Sequence, residues 1–161
     1  MKLERILKNC QSIFTLENFN NINLKGVSTN STEVKDNFLF GAIKGKEFNG
    51  ENFIKDLILF KNLVIVLSSK SNSKIYKKNK NITIIKTTDV RKLIAEISYF
   101  FYKKSFNELV AITGTNGKTS IAEYTRQIWN LKKKSCCSIG TLGIIYKKKK
   151  ILETNLTTPE P

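Results

Sequence analysis

Histidine is absent from this chain. Its absence removes a Ser-His-Asp triad, a Cys-His pair, His-liganded metals and all imidazole acid–base chemistry. Cysteine is scarce. Cys10 stands alone and Cys136 and Cys137 are neighbours, so there is neither a CxxC spacing nor an even disulfide framework, and reduced thiols in a cytoplasmic setting are expected. Both prolines, Pro159 and Pro161, fall at the extreme end, so turns elsewhere must come from Gly, Asn and Ser. The longest strongly apolar run, Leu63 to Leu67, is far too short to cross a bilayer, and polar residues interrupt residues 1–20, so no membrane partner is expected.

Acidic residues are few. Thirteen of them face 28 basic ones, a net charge of +15 that would attract nucleic acid, acidic lipid or a phosphorylated ligand. Only Arg5, Arg91 and Arg126 are arginine, however, and arginine is the residue that forks onto phosphate and guanine. The lysine clusters 77–80, 132–134 and 147–150 lack interleaved aromatics, apart from Tyr76 and Tyr146 at two edges. They read as solvated surface, and no nucleic-acid partner is expected.

What is present is enough for a folded protein. A chain of 161 residues that is 40% hydrophobic can bury a core without staples. Leu3, Ile6, Leu7, Cys10 and Phe14 have helical spacing, predicting a short amphipathic helix over 2–14. Residues 18–23 form a polar loop, 27–31 and 37–43 read as short strands with a turn between, 44–50 as a glycine-bounded loop and 53–60 as helix. Residues 63–67 and 82–85 are continuous β-branched runs of the kind buried on both faces of a parallel sheet. Asp89 is placed to cap a helix over 90–104, since Val90, Leu93, Ile94, Ile97, Phe100 and Phe101 share one face. The pattern then restarts as a strand over 109–113, a glycine turn, a helix from 119 to about 131, a strand over 135–139 and a hairpin-like stretch to 151. A boundary is drawn near residue 106: domain 1–105, then 106–161. The expected fold class is α/β, a small N-terminal α/β domain followed by the start of a P-loop-type parallel-sheet domain.

The most informative residues are Ala111-Ile112-Thr113-Gly114-Thr115-Asn116-Gly117-Lys118-Thr119-Ser120. Glycines let backbone N–H groups turn toward phosphate oxygens, the following helix presents its positive end, and a lysine reaches the outer phosphates. A hydroxyl after the lysine is suited to Mg²⁺. The residues of the phosphate cradle are therefore Gly114, Thr115, Asn116, Gly117, Lys118, Thr119 and Ser120, with Thr119 as the metal ligand. Where the strict P-loop pattern has its first glycine, this chain has Ile112. The plainer alternative is an ordinary strand-to-helix turn, in which Asn116 merely tolerates a left-handed conformation.

Thr113 to Thr119 resembles the ATP loop of the Mur ligase family, whose version also lacks the strict first glycine. Other segments match in order: Ser28-Thr29-Asn30-Ser31, Val34 to Gly45, Phe48 to Ile54, Gly140-Thr141-Leu142-Gly143 and Leu156 to Pro161. The family's usual Asp-Ser-Arg is Asn30-Ser31-Thr32 here, and its frequent Asp-Gly-His is Asn49-Gly50-Glu51.

The resemblance implies an ATP-dependent, Mg²⁺-dependent amide ligase of peptidoglycan precursors, in which Lys118 is catalytic. It implies that Thr29 and Ser31 contact the uridine end of a UDP-N-acetylmuramoyl dipeptide, with Lys46, Glu47 and Phe48 in the neighbouring loop, and that Thr157 and Thr158 contact its muramoyl-peptide part. An amino acid is the second substrate. The competing view of Thr29 and Ser31, and of Thr157 and Thr158, is a polar turn, while Phe48 is alternatively core and Lys46 solvated. Because family members continue well beyond the equivalent of Pro161, the chain is read as the front portion of such a ligase, inactive alone and with some apolar helix faces uncovered. A non-catalytic nucleotide or UDP-sugar module, and a basic nucleic-acid binder, remain the alternatives.

Overall fold

A computed structural model of the chain describes residues 1–45, 49–103 and 106–153. The described residues gather into two compact units, one up to residue 103 and one from residue 106 to 153.

The first unit is built on a five-stranded sheet. Its strands are β1 (Phe14–Glu17), β2 (Gly26–Ser28), β3 (Phe38–Gly41), β4 (Leu63–Ser68) and β5 (Ile82–Thr87), in the order β1-β5-β4-β3-β2. Strands β2 to β5 are mutually parallel and β1 joins the β5 edge antiparallel. The apolar run Leu63–Leu67 is wholly buried because the sheet is covered on both faces. Side chains alternate across it. Val64 and Val66 enter a core with Leu39, Ile85 and the helices α1 (Leu3–Leu7) and α4 (Val90–Tyr102), while Leu63, Ile65 and Leu67 enter a second core with Phe40, Ile82, Ile84 and the short helix α2 (Ile54–Leu57). A further short helix, α3 (Lys74–Lys77), lies between β4 and β5.

Asp89 caps α4 as its position predicts: Oδ1 accepts the amide of Lys92 at 3.0 Å. Helix α4 ends at Lys103, whose φ of 47° breaks the helical path. The expected helix over 2–14 is shorter, ending at Leu7, and Phe14 instead starts a strand. The cause is tertiary. Glu96 of α4 accepts the amides of Gln11 and Ser12, both at 3.0 Å, and turns the chain toward the edge of β5. Similarly, the helix expected over 53–60 is divided into a 3₁₀ turn at Gly50–Phe53 and α2, with Asn49 capping the former through the Glu51 amide. The strands β2 and β3, expected to be separated by a plain turn, are parallel, and their connection carries a 3₁₀ turn at Ser31–Glu33.

In the second unit, helix α5 (Lys118–Leu131) is followed by β6 (Cys137–Gly140), β7 (Gly143–Tyr146) and β8 (Lys149–Leu152). These strands form an antiparallel sheet in the order β6-β7-β8. Two expectations change here. Residues 109–113 are unpaired, with Leu109 75% exposed, and the sheet is antiparallel where a parallel βαβ unit was expected. A strand between parallel neighbours needs their ladder bonds and facing side chains, and among the described residues none flanks 109–113. The apolar stripe Ile121, Tyr124, Ile128 and Leu131 of α5 is likewise exposed. The fold class is α/β.

Candidate functional site

Residues Gly114 to Ser120 form one continuous loop-to-helix turn. Gly117 is the residue before α5 and sits at φ +76°, in the left-handed region. An added Cβ there would meet nothing within 4 Å, so backbone conformation, not crowding, calls for glycine. The glycine also leaves α5 without a side-chain cap, so the leading N–H groups of the helix face outward with their partial positive charge.

Lys118 folds back over this turn. Its ammonium donates to the carbonyl oxygens of Gly114 at 2.6 Å and Thr115 at 3.1 Å, which holds a positive charge beside the uncapped helix end. On the next residue, the Thr119 hydroxyl lies 3.1 Å from that of Thr141, in the turn between β6 and β7.

Thr119, Ala122 and Glu123 of α5 face Ser138 to Gly143 across a small indentation. Glu123 is engaged elsewhere: its carboxylate pairs with the guanidinium of Arg126 and accepts the Gln127 side-chain amide at 2.9 Å. These bonds, Arg126 foremost and Gln127 next, hold the Glu123 carboxyl below the usual carboxylate range. Arg126 also donates to the Lys147 carbonyl in the β7–β8 turn. Sequence reasoning did not single out Glu123 or Arg126, and it reached Thr141 only as part of the matching segment Gly140-Thr141-Leu142-Gly143, with no role assigned to it.

The donor set fits a polyphosphate: uncapped helical amides, one ammonium and adjacent hydroxyls from Thr119 and Ser120. For a divalent cation it offers one neutral oxygen, on Thr119. Among the described residues no group of three His, Cys, Asp or Glu side chains comes together. That is the donor set expected where Mg²⁺ is carried mainly by phosphate oxygens and water.

Thr29 and Ser31 lie in the first unit, both half-buried, just past the carboxyl end of β2. Asn30 between them accepts the Thr32 amide at 3.1 Å and the Thr32 hydroxyl at 2.9 Å, and Ser28 Oγ donates to Glu33 at 3.0 Å, so the turn is braced from within. At the same edge of the sheet a cleft of about 580 Å³ opens where β3, β4 and β5 end and α4 begins, with Lys44, Lys70 and Asp89 among the residues that line it. Carboxyl ends of parallel strands are where open α/β sheets take ligands. The sequence did not point to Lys44, Lys70 or Asp89 as cleft residues, because only strand order brings them together. Lys46, Glu47, Phe48, Thr157 and Thr158 lie outside the described residues.

The lysine clusters 77–80, 132–134 and 147–150 have exposed lysines throughout. No helix among the described residues is long and apolar enough to cross a membrane.

Residues 112–161, which include the glycine turn and α5, match the family model of the Mur ligase middle domain. A relative from Rickettsia prowazekii, named UDP-N-acetylmuramoyl-L-alanyl-D-glutamate--2,6-diaminopimelate ligase, is 38% identical over 126 residues, covering 78% of this chain and 25% of the relative. A second, from Clostridium acetobutylicum and named as ligase 2 of the same kind, is 35% identical over 164 residues, covering 99% of this chain and 33% of the relative. The chain belongs to the Mur ligase family. It spans only a quarter to a third of the length of these Mur ligases. The second match also runs through the first unit, so the likeness to a Mur ligase is not confined to residues 112–161.

Proposed function

We propose that this chain is the front portion of an ATP-dependent amide ligase of peptidoglycan synthesis. In this reading it adds a diamino acid to UDP-N-acetylmuramoyl-L-alanyl-D-glutamate, the reaction its relatives' names describe. The supporting observation is the turn itself: α5 starts at an uncapped glycine with the Lys118 ammonium held over the same bend.

When bound, Mg²⁺·ATP supplies the phosphoryl group that turns an unreactive carboxylate into a good acylating agent for the incoming amine. Lys118 exchanges its bonds to Gly114 and Thr115 for outer phosphate oxygens and neutralises the charge that gathers there. The amides from Thr115 to Ser120 orient the phosphate tail, and Thr119 offers its hydroxyl oxygen to the metal. None of these roles needs an imidazole.

In the same reading the first unit grips the uridine-nucleotide end. Thr29 and Ser31 stand at the carboxyl edge of the parallel strands, and Lys46, Glu47 and Phe48 follow Lys44 in sequence. The family resemblance assigns Thr157 and Thr158 to the muramoyl-peptide part. A cytoplasmic setting agrees with three free cysteines.

Equilibrium titration of the chain with a fluorescent ATP analogue and Mg²⁺ tests the nucleotide part. Saturable binding that Lys118→Ala weakens by about tenfold or more is expected; equal binding by both proteins would refute the assignment. Ligation is tested with the chain continued to the full length of its relatives, where absence of turnover with every diamino acid offered would overturn the proposed reaction.

A further inference from the structure

Thr119 and Thr141 are 22 residues apart in sequence, yet their side-chain oxygens are 3.1 Å apart. A threonine hydroxyl has one proton and two lone pairs. To serve a cation, the Thr119 oxygen must turn a lone pair toward it and send its proton elsewhere. The Thr141 oxygen is already within reach of that proton.

We propose that Thr141 is a positioning residue: it accepts the Thr119 hydroxyl proton and so presents the Thr119 oxygen to a phosphate-bound Mg²⁺. The inference rests on the nucleotide reading above and adds a residue to it. A ligand's own hydrogen-bond partner typically sets metal affinity by about 10- to 100-fold.

The frame around Thr141 is built to hold it still. Gly140 and Gly143 pair across the sheet and leave Thr141 and Leu142 as a two-residue turn. Gly143 has φ +102°, and a Cβ there would collide with the Leu152 carbonyl oxygen of β8. At the other end of the sheet Arg126, 7% exposed, ties the β7–β8 turn to α5 through the Lys147 carbonyl. The sheet is thus anchored to α5 at two points, and Thr141 is one of them.

The test measures binding of N-methylanthraniloyl-ATP to the whole chain in Mg²⁺ and in EDTA. In Thr141→Val the ratio of the two affinities should fall about tenfold, and Thr141→Ser, which keeps the hydroxyl, should restore it. Thr119→Val should lower the same ratio, and the double variant should lower it no further, since both changes break one device. A wild-type ratio in Thr141→Val, or equal losses in Mg²⁺ and EDTA that serine does not repair, would overturn the proposal. If Thr141→Val does not fold, the comparison of Thr141→Ala with Thr141→Ser isolates the hydroxyl: serine alone must keep the Mg²⁺-dependent gain, and equal ratios would overturn the proposal. A wild-type chain that binds nucleotide in neither condition would refute the nucleotide reading itself, and the role of Thr141 with it.

Discussion

The Lys118 ammonium lies 2.6 Å from the carbonyl oxygen of Gly114, four residues earlier and on the far side of the turn that Gly117 makes possible. The lysine closes its own loop. It therefore has two roles that substitution separates: charge toward a ligand and a brace for the bend.

Lys118→Ala should weaken nucleotide binding by about tenfold or more, because a charge-assisted contact to phosphate is lost. The far-ultraviolet circular dichroism should be unchanged, since no core residue is touched. Lys118→Arg should also bind poorly: a planar fork does not replace a compact ammonium donating to two carbonyls. Arginine at wild-type affinity would show that charge alone suffices.

Glu123 makes the second unit sensitive to acid. Its folded carboxyl titrates below the ordinary range, chiefly through Arg126 and then Gln127. A lowered carboxyl stabilises the folded form above the unfolded value near ~4.3 and loses that contribution as pH falls through the folded value. Trp129, on α5, is the chain's single tryptophan and reports on this unit. Its fluorescence-monitored denaturation midpoint should fall below about pH 4.3, and Glu123→Gln should flatten that dependence while lowering the midpoint at neutral pH, since Arg126 loses its charged partner.

Ile65 lies on the central strand β4, fully buried, with β3 and β5 on either side. Ile65→Ala should cost about 3–4 kcal/mol of the first unit's stability through lost burial and the cavity left behind. Asp89→Ala should cost about 1 kcal/mol, the value of one helix cap. Urea denaturation followed by circular dichroism checks both, and the order of the two losses matters more than either value.

Cys10 is chemically quiet in the folded chain. Burial, with a smaller contribution from the Glu96 carboxylate, pushes its thiol up to about 11. At pH 8 about one thiol in a thousand is then ionised. Iodoacetamide followed by mass spectrometry should leave Cys10 unlabelled in the native protein and labelled in urea.

Much of this molecule is local in origin. Leu63–Leu67 and Ile82–Ile85 read as buried strands, because short apolar runs rich in β-branched residues and bounded by polar ones suit a sheet covered on both faces. The helix over Val90–Tyr102 follows from its apolar stripe and from Asp89, and the bend at Gly114–Lys118 from glycines whose freedom no other residue shares. The resemblance to Mur ligases likewise rests on short segments read one at a time. Other features are properties of contacts between distant residues. Glu96 redirects Gln11 and Ser12 and so decides where α1 stops. The order β1-β5-β4-β3-β2 gathers Lys44, Lys70 and Asp89 around one cleft, although nothing in their local sequences sets them near each other. Residues 109–113 have strand-like composition but lack the neighbours that would make them a strand. The approach of Thr141 to Thr119 depends on a hairpin turn meeting the first turn of a helix. Local composition sets what each segment prefers; hydrogen bonds and packing across the fold decide which preferences are met and which side chains end up facing one another.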